Sequence, residues 1–149
     1  MYVLVAYATR RGPTTIIAER IATGLRANGV HARAEPITNV KTTTIYQAVV
    51  LGGNAHMSHW LDAAVRFARH HRKELADRAV WLFSSGPKGT ARSAAEDTPP
   101  REFHQLVKLV EPRGEHVFAG SQPHVLSLED EEAIEAWTEE IAAELLAVQ

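Results

Sequence analysis

Apolar runs and amphipathic stretches alternate along the whole chain. The segments Tyr2–Ala8, His31–Glu35, Ala48–Gly53, Ala79–Ser84 and His116–Ala119 read as strands, Tyr2–Ala8 with enough β-branched and aromatic residues for a buried one. Between and after them, Thr14–Asn28, Trp60–Glu74, Arg101–Val110 and Asp130–Ala147 repeat their apolar positions with helical spacing. Strands alternating with helices of this length predict parallel βαβ units in a three-layer α/β sandwich. The punctuation agrees. Asn28-Gly29 can adopt the left-handed conformation that ends a helix. Ser127-Leu128-Glu129-Asp130 offers a capping hydroxyl, followed by carboxylates at the positive end of the helix dipole. Thr38–Ile45 is polar and β-branched, so the connection between the second and third strands should hold little or no helix. No internal repeat interrupts the pattern, and Gly86–Pro100, with three prolines and two glycines, reads as a functional loop rather than a domain linker.

Composition narrows the class. The 149 residues suit one domain with its own core, and an apolar fraction of 45% with 23% charged residues is ordinary for a globular protein. A net charge of −2 gives no electrostatic reason to expect nucleic acid or an anionic membrane as partner. No stretch approaches the roughly 18 apolar residues of an integral membrane segment. Tyr2 already begins a strand pattern, without the basic start and cleavage site of a signal peptide, so a cytoplasmic protein is expected. The absence of cysteine removes disulfides, thiolate metal sites and cysteine nucleophiles. His56 and His59, even with His70 or His71, lack a carboxylate at ligand spacing, so no metal is expected. No Ser-His-Asp order or paired carboxylates suggest a catalytic side chain. Trp81, Phe83 and Trp137 read as core, and Arg66–Lys73 as a solvated basic face or a docking site for an acidic partner.

The chemistry is concentrated in three loops that follow strands. Thr9-Arg10-Arg11-Gly12-Pro13-Thr14-Thr15 links the first strand to the first helix. A hydroxyl- and glycine-bearing turn running into a helix N-terminus presents N–H groups and the positive end of the helix dipole to a phosphate. Gly52-Gly53-Asn54-Ala55-His56-Met57-Ser58 follows the third strand, and Ser84-Ser85-Gly86-Pro87-Lys88-Gly89 the fourth. Their glycines would let the backbone approach a flat ligand. Open parallel sheets bind ligands at the carboxyl ends of their strands, where these loops would meet.

Thr9-x-x-Gly12-x-Thr14 after the first strand resembles the phosphate loop of the flavodoxin family. Ala48-Val49-Val50-Leu51-Gly52-Gly53 and Trp81-Leu82-Phe83-Ser84-Ser85-Gly86-Pro87 are similar to that family's third and fourth strands with their ring-side loops. His59-Trp60-Leu61 with the latter segment is most similar to the subgroup that includes menaquinone-dependent protoporphyrinogen oxidase. The resemblance covers essentially the whole chain. It implies a flavodoxin-like five-stranded parallel sheet of order 2-1-3-4-5 and noncovalent FMN. Thr9, Gly12, Thr14 and Thr15 would bind the phosphate, with Pro13 at the helix start and Arg10 or Arg11 facing it. Gly53, Asn54, Ala55 and His56 would lie along the ring, and Ser85, Gly86 and Lys88 would close its other side. Three departures stand out: His56 where relatives carry an aromatic, Ser58 where glycine is common, and Pro13 without an N–H. The oxidase subgroup also carries an insertion near its last strand, for which the Val117–His124 stretch has no room. The implied activity is electron transfer, or a small flavin-dependent oxidoreductase, acting with a redox partner protein or a quinone-like small molecule. The alternatives are an oxidase-like enzyme and a non-redox binding module that has lost tight flavin binding.

Overall fold

Five parallel strands form one sheet in the order β2-β1-β3-β4-β5. They are β1 (Tyr2–Tyr7), β2 (His31–Pro36), β3 (Ala48–Asn54), β4 (Ala79–Ser85) and β5 (Gly114–Phe118). The computed structural model describes residues 1–8, 13–54, 58–85, 101–118 and 126–147. The helices are α1 (Pro13–Ala27), α2 (Ser58–His70), α3 (Arg72–Leu75), α4 (Arg101–Val110) and α5 (Leu128–Ala147). In register, Val5 of β1 lies between Ala34 of β2 and Val50 of β3, and Val50 pairs onward with Trp81 of β4.

Successive side chains of a strand point to opposite faces, so the apolar central strands bury both sides. Val3, Val5, Val50, Trp81 and Phe83 pack with Ile17, Ile21 and Leu25 of α1 and with Ile134, Trp137 and Ile141 of α5. On the other face Leu4, Val49, Leu51 and Leu82 meet Ala64, Val65 and Phe67 of α2 and Leu106 and Val110 of α4. Trp81, Phe83 and Trp137 are therefore core, as their spacing implied. Gly52 has a different reason for being glycine from the one expected. A Cβ there would overlap the Phe83 ring, so the close approach it permits is to Phe83 of the neighbouring strand.

The helix ends are those the sequence marks. Gly29 sits at φ +86°, Val30 N–H donates to the Leu25 carbonyl at 3.0 Å, and Gly29 N–H donates to Arg26 at 3.1 Å. This is a Schellman termination. Ser127 Oγ accepts from Asp130 N–H at 3.0 Å and caps α5. The β2–β3 connection contains a single 3₁₀ turn, Ile37–Asn39, in line with its polar sequence.

Two elements differ from expectation. The Trp60–Glu74 pattern is two helices, because α2 ends at His70 and α3 begins at Arg72. The intervening His71 is buried, with its ring 4.6 Å from that of Phe67 and its Nδ1 3.5 Å from Glu74 Oε1. That carboxylate accepts from Thr43 N–H and Thr43 Oγ1, each at 2.6 Å, and from Thr42 Oγ1 at 3.3 Å. The break thus turns Glu74 onto backbone and hydroxyl donors of a connection that has little secondary structure to satisfy them. β5 begins at Gly114, two residues before the apolar run that marked it. It is an edge strand of alternating exposure, so its first residues need no apolar signal.

Candidate functional site

β1, β3 and β4 are neighbours in the sheet, and all three run in the same direction. Their carboxyl ends at Tyr7, Asn54 and Ser85 therefore lie side by side, at the chain positions after which the sequence singles out its three loops. Asn54 pairs with Ser85 as the last step of the β3–β4 ladder, and Ala8 N–H donates to the Gly52 carbonyl at 2.9 Å. The first loop is thus tied to β3 at its start. Gly53 is buried within β3. Thr9, Arg10, Arg11, Gly12, Ala55, His56, Gly86 and Lys88 lie outside the described residues.

Pro13 is the first residue of α1. A proline is suited to that position, since its missing N–H would have no intrahelical acceptor there. Thr14 and Thr15 follow it in the first turn, which contains no acidic residue to oppose an anion. Their hydroxyls differ. Thr14 is fully buried, and its Oγ1 lies 2.6 Å from Oγ of Ser85, itself 1% exposed. Thr15 Oγ1 is also buried, yet it has no hydrogen-bond partner among the described residues. A buried hydroxyl without a partner is costly and calls for one. The sequence set Thr14 and Ser85 at opposite ends of a ligand; the structure joins them. No local pattern signals a contact across 71 residues of chain.

At the end of β1, Tyr7 is buried, and its pKa is raised first by that burial and then by the charges of Glu19 and Glu35. It remains a neutral phenol. Among the described residues no group of three His, Asp or Glu side chains is arranged to hold a metal ion. None of the described helices is long and apolar enough to cross a membrane.

A model of the flavodoxin domain matches residues 4–140. A flavodoxin from Streptococcus pneumoniae TIGR4 superposes with a TM-score of 0.67 at 19% identity, over 97% of this chain and 99% of that one. A flavodoxin from the domain Archaea gives 0.67 at 15% identity, over 97% and 98% of the two chains. Oxidised Flavodoxin 2 from Bacillus cereus gives 0.61 at 18% identity, over 97% and 99%. No curated protein matches the chain in sequence. The residues present also fit the phosphate of an FMN: a buried hydroxyl without a partner among the described residues stands on the first turn of α1, where amide donors and the helix dipole favour an anion. The sheet order, the extent of the domain match and the chemistry at this helix start converge, and the chain belongs to the flavodoxin domain family of FMN-binding redox proteins.

Proposed function

We propose that this chain is an FMN-dependent electron carrier that holds its cofactor at the carboxyl edge of β1, β3 and β4. The observation that carries the reading is the buried Thr15 hydroxyl on the first turn of α1, which has no hydrogen-bond partner among the described residues. Thr15 donates its O–H to the phosphate, and the backbone N–H groups of Thr14 and Thr15 add to it. Thr9, Gly12 and either Arg10 or Arg11 complete the cradle from the preceding turn. Gly53, Asn54, Ala55 and His56 line one side of the ring, and Gly86 and Lys88 the other, with Ser85 at the base of that loop. Bound FMN supplies reversible uptake of one or two electrons at its ring. The protein sets the ring's orientation and excludes water from it, and Lys88 favours negative charge nearby.

A protein partner is favoured over a quinone or porphyrinogen as acceptor. Residues 119–127 are all that join β5 to α5, which leaves no room for the insertion of the oxidase subgroup. The α5 sequence meanwhile carries eight carboxylates and no lysine or arginine. Its exposed Glu129 and Glu132 sit at the end that follows β5, the same edge as the cofactor, and suit a basic redox partner. The reading is tested by reducing the FMN-loaded protein and mixing it separately with a basic one-electron acceptor protein, such as a cytochrome c, and with a menaquinone analogue. Fast reoxidation by the protein and slow reoxidation by the quinone are expected. The reverse order would favour the enzyme reading, and a chain that takes up no FMN would leave only the non-redox binding module.

A further inference from the structure

Exposed charge is sorted between the two faces of the sheet. On α2 and α3, which pack on the Leu4, Leu51 and Leu82 face, Arg66, Arg69, Arg72 and Lys73 are all exposed. On α5, across the sheet, Glu132, Glu135, Glu139 and Glu140 are exposed, and that helix has no lysine or arginine. Among the described residues none of these side chains forms an ion pair. The two sets share a spacing. Arg66, Arg69 and Lys73 stand at i, i+3 and i+7, and so do Glu132, Glu135 and Glu139. Helical hydrogen bonds carry across the α2–α3 junction, with His71 N–H donating to the Phe67 carbonyl at 3.0 Å and Leu75 N–H to the His71 carbonyl at 2.9 Å. Each stripe therefore runs along one side of its helix and advances about 10 Å. Asp62 and Asp77, also exposed, mark the two ends of the basic run, four residues from Arg66 and from Lys73.

We propose that the basic stripe is a docking surface for the acidic stripe of a second copy of this chain. Set side by side in the same direction, the helices would place Arg66, Arg69 and Lys73 opposite Glu132, Glu135 and Glu139. The molecule thus carries both halves of the contact. Because the stripes lie on opposite faces of the sheet, one pair of copies cannot satisfy both at once. The contact is heterologous and open, so copies add end to end rather than closing into a dimer. Exposed ion pairs are weak and are screened within about 8 Å at physiological ionic strength. The association is therefore reversible; it grows with protein concentration and falls with salt. Glu132 also belongs to the surface proposed for a basic redox partner, so a second copy competes with that partner. The contact itself does not depend on bound flavin.

Sedimentation equilibrium of the full chain over a concentration series tests this at about 0.01 M and 1 M ionic strength, where charges act over roughly 30 Å and 3 Å. The average mass should climb with concentration past two copies at low salt and stay at one copy at high salt. Arg66→Glu and Glu132→Lys should each weaken the association about five- to tenfold. Arg66→Glu/Glu132→Lys should recover it, because the pair is restored with its charges exchanged. Arg66→Glu/Glu139→Lys has the same net charge but sets the exchanged charges out of register, and it should stay weak. A wild-type mass that stays at one copy in both salts, or that levels at two copies, overturns the proposal. So does equal recovery by the two exchanged pairs, which would leave only net charge at work. These masses are read without an electron acceptor and with or without flavin, so the redox reading stands or falls separately.

Discussion

Thr14 and Thr15 are consecutive residues on one helical turn, yet their hydroxyls face different tasks. One closes a buried hydrogen bond to Ser85, and the other has no partner among the described residues. Hydrogen bonds to charged groups contribute about 1.5–3 kcal/mol, so Thr15→Val should weaken FMN roughly ten- to hundredfold. Riboflavin should be unaffected, and equilibrium dialysis of both flavins checks the contrast. A second residue-scale prediction concerns pH. Glu74 is held at a pKa of about 2, chiefly by the Thr43 hydroxyl and then by the Thr43 N–H. A carboxyl lowered in the folded state stabilises it above the ordinary value of 4.5, and that contribution is lost as pH falls from there toward 2. His71 has a pKa below 6.5, chiefly because burial disfavours its charged form, which outweighs the attraction of Glu74. The unfolded chain then takes up the proton more readily, so His71 also costs stability as pH drops below 6.5. Urea midpoints should therefore decline continuously from pH 7 to pH 3. Thr43→Val should cost about 1 kcal/mol near neutrality and flatten the lower part of the decline; equal slopes in the two proteins would contradict the assignment. The sequence could announce the hydroxyls at residues 9–15, since a strand-turn-helix pattern is local. It could not announce that Thr14 meets Ser85 or that Thr43 meets Glu74, because those partners are set by the sheet order.

The same division holds for whole elements. Strands β1, β3 and β4 were legible because, buried on both faces, they are almost continuously apolar. The caps of α1 and α5 were legible because a left-handed glycine and a capping serine act within a few residues of themselves. The start of β5 was not, because an edge strand requires apolar residues on only one face. The α2–α3 break was hidden for another reason: Arg72–Leu75 keeps helical periodicity while the buried His71 interrupts it. The end of α4 gives a direct test of local conformation. Glu111 follows that helix at φ +45°, and its N–H donates to the Val107 carbonyl at 2.8 Å. Non-glycine residues in the left-handed region cost roughly 1 kcal/mol, and glycine removes that cost. Glu111→Gly should thus raise the unfolding free energy by about 0.5–1 kcal/mol, despite the added flexibility of the unfolded chain. A thermal melt that shifts downward would show that the Glu111 conformation is unstrained.

Across the whole molecule, a net charge of −2 conceals an uneven distribution. The acidic α5 packs on one face of the sheet, while exposed Arg66, Arg69, Arg72 and Lys73 of α2 and α3 lie on the other. The charged positions of α2 continue toward its carboxyl end, the end away from the three loops. Electron transfer to a basic protein should therefore depend on α5. Reversing Glu132 and Glu135 to lysine should slow transfer about tenfold at low salt, and the difference should shrink as ionic strength rises. Arg69→Glu should leave the rate nearly unchanged, and stopped-flow mixing over a salt series measures both. The fold class and sheet order were readable from periodicity and from the resemblance, and the family match over residues 4–140 agrees with them. The claim on which the rest depends is that the start of α1 anchors the phosphate of FMN. Parallel titrations of the flavin-free protein with FMN and with riboflavin, read by the visible bands and fluorescence of the ring, test it most directly. A yellow complex should form with FMN, and riboflavin should bind at least about tenfold more weakly. A protein that stays colourless in excess FMN, or that binds both flavins equally, would contradict it.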